Sequence, residues 1–220
     1  MAIKELELRI PTSYGDITLK KWLELQNDIK NYKGDEEAIT AIMMHHLCGL
    51  PVEYLNSLGL ENYIKIKDEL SKFLSKIDLP LQRFIEIDGV EYGFEPNLSK
   101  MTYGAYADIT KYQTIEIDTN WQNIMSILYR PVTKKQGDMY LTKTYEGTGD
   151  ASKFLSVGMD VHFGALFFLL NLLMELWNDI LNSSMQMDIP PNTKLILQKS
   201  GQLTQQYMNS LKGTFSVLTK

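Results

Sequence analysis

Val161-His162-Phe163-Gly164-Ala165-Leu166-Phe167-Phe168-Leu169-Leu170-Asn171-Leu172-Leu173-Met174 is the stretch on which the architecture turns. It carries no charge and is bounded by Asp160 and Glu175. Read as a membrane span, it would anchor the chain. Read as a buried helix, it would organise a globular core. A bilayer-spanning helix takes roughly 20 apolar residues. This run is shorter, and His162 and Asn171 interrupt it. A helix over 159–182 buried in a core or in an oligomer interface is therefore the expectation, with no membrane contact. Phe163, Leu166, Phe167, Leu170 and Trp177 recur at helical spacing and form its candidate protein-interface residues.

Working outward, the chain supplies the remainder of a core. It is 220 residues long and 44% hydrophobic, enough for one compact domain or two small subdomains. The net charge of −5 gives no global pull toward nucleic acid, and Lys20-Lys21 and Lys134-Lys135 are only pairs. Cys48 is the single cysteine, so no intrachain disulfide forms, which fits a reducing compartment. The start, Met1-Ala2-Ile3-Lys4-Glu5, lacks the apolar centre of a secretory leader.

Residues 3–10 nearly alternate apolar and polar, which predicts a strand stopped by Pro11. Asp16 or Thr18 then caps a first helix with Leu19, Trp22, Leu23 and Ile29 on one face. A second helix runs from about Asp35 to Cys48 and ends at Gly49 and Pro51. The clearest amphipathic helix spans Asn62 to Ile77. Two β-prone runs, 83–87 and 90–94, flank Asp88-Gly89, a strong hairpin signal. Helices follow over 102–112 and 120–129, the second stopped by Arg130-Pro131. Residues 132–150 read as a long polar loop, with Met139-Tyr140-Leu141 as a short strand at most. Helices return at 151–182 and at about 200–212.

The expected fold is mainly α, with an N-terminal strand and a central hairpin as its small β element. The units are 1–80, 81–131, the loop 132–150, and 151–220 packing on the rest as one compact domain. An internal echo runs through it. Aligning Thr18 with Thr102 places Trp22 on Tyr106 and Leu25 on Ile109. A duplicated helix pair is one reading; similar capped helices arising by physics alone is the other.

A search for chemistry returns no motif. Adjacent His45 and His46 point about 100° apart on a helix, so they do not form the i,i+4 zinc pair. His162 reads as a hydrogen-bonded core histidine, and Cys48 as a packed, inert thiol. Asp35-Glu36-Glu37 is accounted for by a helix N-terminus. Glu146-Gly147-Thr148-Gly149-Asp150 lacks the Gly-Lys-Ser/Thr ending of a phosphate loop. No catalytic, cofactor-binding or metal residue is assigned. The aromatics Tyr92, Phe94, Tyr103, Tyr106 and Tyr112 sit among Glu86, Asp88, Glu91, Glu95 and Asp108, which argues against nucleobase stacking. Tyr and Met, 12 and 11 residues here, are common at protein interfaces.

Three segments carry a resemblance: Arg9-Ile10-Pro11-Thr12-Ser13-Tyr14-Gly15-Asp16-Ile17-Thr18, Tyr92-Gly93-Phe94-Glu95-Pro96-Asn97-Leu98-Ser99-Lys100-Met101-Thr102, and Ile124-Met125-Ser126-Ile127-Leu128-Tyr129-Arg130-Pro131. In style they resemble small assembly proteins of tailed bacteriophages, of the tail-assembly-chaperone and baseplate-hub-assembly type. The resemblance implies a non-enzymatic protein that binds other phage structural proteins, as a homo- or hetero-oligomer, in the host cytoplasm or the virion. The alternatives are a small regulatory module that binds a host protein, and an enzyme gathering His45, His46 or His162 with nearby carboxylates.

Overall fold

The computed structural model describes residues 8–32, 34–75, 79–95, 97–98, 101–111 and 117–186. Its helices are α1 (Leu19–Ile29), α2 (Glu36–Cys48), α3 (Val52–Leu55), α4 (Leu60–Leu74), α5 (Tyr103–Ile109), α6 (Trp121–Leu128) and α7 (Met159–Gln186). Four strands, β1 (Phe84–Ile87), β2 (Val90–Phe94), β3 (Tyr129–Gln136) and β4 (Met139–Thr142), form one antiparallel sheet in the order β1-β2-β3-β4. The chain is mainly helical with a small β element, as expected. Leu8 to Ile10 are not in a strand, and the rest of the expected N-terminal strand lies outside the described residues. So does the expected helix at 200–212.

Local chemistry explains most boundaries. Thr18, not Asp16, caps α1, its hydroxyl accepting from the Lys21 N–H. The Asp16 carboxylate instead accepts from the Thr12 and Ser13 N–H groups, which holds it below the usual carboxylate range and closes the turn before α1. Asp35 caps α2 through the Ala38 N–H, and Gly49 ends it in the left-handed conformation that glycine adopts without strain. At the β1–β2 turn, Asp88 and Gly89 both have positive φ, 53° and 75°, as a two-residue type I′ hairpin requires.

Residues 132–150 are not one long loop. Their first half is a second hairpin, β3–β4, continuing the sheet directly from α6. The short strand expected at Met139-Tyr140-Leu141 is β4; its partner β3 is unexpected, and the hairpin is braced by β1 and β2. Tyr140 packs its ring against Phe84, with centroids 4.7 Å apart, and donates its hydroxyl to the Phe94 carbonyl at 2.6 Å. Lys135 lies over the Phe84 ring and pairs with Glu91.

The core sits where α1, α2, α4, α6, the sheet and the first half of α7 meet. Phe163 is its centre, edge-on to Tyr14 and Trp22 at 5.3 and 5.2 Å. Burial along α7 ends at Leu170. Beyond it, every described side chain from Asn171 to Asn182 is exposed or half-exposed, so the helix is not buried along its full length. Among the described residues, no helix is long and apolar enough to cross a membrane.

The internal echo extends only to the caps. Thr102 caps α5 through the Ala105 N–H as Thr18 caps α1. Yet Trp22 is buried while its counterpart Tyr106 is 58% exposed, and α5 has 7 residues against 11 in α1. Shared capping without shared burial does not support a duplication.

Candidate interaction surface

The sequence placed a protein interface on α7, and three of its five side chains are enclosed within this chain. Phe163, Leu166 and Leu170 are enclosed in the core of this chain, and Phe167 is half-buried, packed against that core. Phe163, Leu166 and Leu170 present no free face to another molecule, whereas Phe167 stays partly exposed. Trp177 lies in α7, but its side chain is outside the described residues.

Large apolar side chains are exposed at other places. On α5, Tyr103 is 84% exposed and Tyr106 58%. They are three residues apart and share one helix face. The helix beneath them is held from behind. Ala105 is buried, and Tyr145, just after β4, donates its hydroxyl to Asp108 at 2.6 Å. The Lys111 ammonium and that hydroxyl keep the Asp108 carboxylate below its usual range. On β4, an edge strand, Met139 and Leu141 are exposed and alternate with the packed Tyr140. Leu141 precedes Tyr145 by four residues, at most about 14 Å of chain. Exposed tyrosines and methionine on a fixed backbone are the side chains that protein interfaces favour. Tyr92 and Phe94, grouped with Tyr103 and Tyr106 by sequence, are buried in the core instead. Tyr112 lies outside the described residues.

His162 lies apart from His45 and His46, whose rings meet edge-on with centroids 5.1 Å apart. His45 Nδ1 lies 2.8 Å from the Leu50 carbonyl, and His46 Nε2 2.8 Å from the Asp28 carboxylate. His162 is wholly buried between α6 and the turn Ala151–Ser156. Trp121 Nε1 donates to its Nδ1, so Nε2 carries the proton and donates to the Phe154 carbonyl, both at 3.1 Å. Burial pulls this imidazole down to about 4. It is a hydrogen-bonded core histidine. The Cys48 thiol is buried and pushed up to about 11, which suppresses the thiolate. Among the described residues, no three His, Cys, Asp or Glu side chains gather as a metal site would need.

One cleft escaped the sequence reading. It lies between β2, β3, residues 143–150 and the turn Ala151–Ser156, and encloses about 250 Å³. Arg130, Lys143 and Lys153 line it, with the acids Glu146 and Asp150 and the hydroxyl residues Ser126, Thr144 and Thr148. The local signal, Gly147-Thr148-Gly149, was visible, but the cations come from three separate segments.

No family model, no curated protein and no solved structure matches this chain.

Proposed function

We propose that this chain is a non-enzymatic bacteriophage protein that binds other virion components during tail or baseplate assembly, as an assembly chaperone or minor structural protein. The observation that carries the binding role is the aromatic pair Tyr103 and Tyr106, 84% and 58% exposed on a helix anchored from behind. Exposed aromatics cost solubility unless something covers them, and tyrosine is enriched among residues that dominate binding energy. Met139 and Leu141 on the edge strand add apolar contact of the same kind. The phage assignment rests on the likeness of the three segments around Pro11, Pro96 and Pro131.

The test uses the full chain as bait against the structural proteins encoded beside its gene, with sedimentation to read its own oligomeric state. The expected result is capture of at least one such protein, lost on Tyr103→Ser/Tyr106→Ser while the fold is retained. A monomer that captures none of them would overturn the reading. Mass spectrometry of purified particles then separates a resident component from one that acts only while the particle is built.

A further inference from the structure

We propose that the cleft between β2, β3 and the Ala151–Ser156 turn is a binding site for a phosphate group. Two observations carry it independently of the assembly role.

The first is a cation in no direct ion pair, although Asp150 is near enough to feel its charge. Lys153 is half-buried and donates to the Tyr92 hydroxyl at 2.8 Å. No carboxylate of the described residues lies within salt-bridge distance of it, whereas Arg130 pairs with Glu95 and Lys143 with Glu146. The nearby acid, Asp150, is turned to Ser152, accepting from its N–H and its hydroxyl. An ammonium has three donors. Tyr92 takes one, and no other acceptor among the described residues is bonded to Lys153 Nζ.

The second is an orphaned donor. Arg130 Nε is buried and has no acceptor among the described residues, although the guanidinium also holds Glu95. A buried N–H without an acceptor is costly, and such groups are usually explained by water or a bound ion. Arg130 and Lys153 line the same cleft. Thr144 and Thr148 also line it, and Gly147 and Gly149 leave the loop backbone open to close approach. Cations, hydroxyls and glycine backbone together are the donor set that recognises phosphate oxygens. The volume of about 250 Å³ falls below the ~300–1,000 Å³ typical of pockets for larger ligands, so it selects a small ion or a single group.

The experiment titrates the full-length protein with inorganic phosphate, and separately with O-phosphoserine, at constant ionic strength set by chloride. The readout is the ¹⁵N–¹H resonance of the Arg130 Nε–H, which is well resolved from backbone amides. Phosphate should move that proton downfield in a saturable way. Lys153→Met should weaken binding by roughly tenfold or more, the share of one charge-assisted hydrogen bond, while Lys153→Arg retains most of it. Tyr92→Phe, which frees the ammonium from its tether, serves as the second variant should Lys153→Met not fold, and is expected to shift the affinity severalfold. Saturation by inorganic phosphate supports a free-ion site, and saturation by O-phosphoserine alone supports a site for ester-borne phosphate. No saturable shift with either, or variants that all bind as the parent does, overturns the proposal.

Discussion

Trp121 and His162, 41 residues apart, meet in the core through an indole N–H donated to Nδ1 at 3.1 Å. That bond fixes the tautomer, because an acceptor nitrogen carries no proton. It also ties α6 to α7, since the other ring nitrogen reaches the Phe154 carbonyl in the turn just before α7.

A pH dependence follows. Burial lowers the His162 imidazole from 6.5 to about 4 in the folded chain. The folded state therefore binds this proton less readily than the unfolded one. Its contribution to stability is fully present above pH ~6.5 and is lost as pH falls toward 4, on the order of 3 kcal/mol in all. Urea denaturation at several pH values from 7.5 to 4 should show that decline. His162→Phe should flatten the slope in this window; an unchanged slope would assign the decline to carboxylates instead.

Gly164→Ala should destabilise, although alanine is the better helix former by about 1 kcal/mol. A Cβ at this position would lie 2.5 Å from the Pro80 carbonyl oxygen, a backbone atom that cannot swing aside. We expect a net loss of about 1–3 kcal/mol. Thermal unfolding reads it, and a raised Tm would show that α7 does not pack on Pro80 as described.

Glu95 and Arg130 form an ion pair with side chains only 10% and 12% exposed. Removing one partner strands the other charge, at a cost of about 3–5 kcal/mol. Glu95→Ala should therefore be severe, while Glu95→Leu/Arg130→Met should recover much of the loss. A double-mutant cycle decides it: simple additivity of the two single losses would deny the pairing.

Phe163→Ala should cost about 3–5 kcal/mol, as truncation of a packed aromatic does. Tyr103→Ser and Tyr106→Ser should each fall within about 0.5 kcal/mol of the parent, because among the described residues their side chains make no hydrogen bond or ring contact. The comparison checks the reassignment of the interface from α7 to α5. Equal losses at both places would return α5 to the core.

The features legible in the sequence are those that neighbouring residues decide. Thr18, Asp35 and Thr102 cap helices through N–H groups three residues away, and Asp88-Gly89 adopts its turn from its own backbone preferences. The apolar run 161–170 announced a buried helix because its side chains have nowhere else to go. What buries it was decided only by tertiary structure. Phe163 found Tyr14 and Trp22 of its own chain, and Leu166 and Leu170 are buried in the same core. In the β3–β4 hairpin, the short strand at Met139-Tyr140-Leu141 was legible, but its pairing with the polar end of β3 is held by Tyr140 and Lys135 packing on β1 and β2, over 40 residues earlier in the chain. Trp22 and Tyr106 stand at equivalent steps after matching caps, yet one is buried and the other exposed. Local hydrogen bonds are written in short spacings. Burial depends on which distant surfaces meet, and short spacings do not record that.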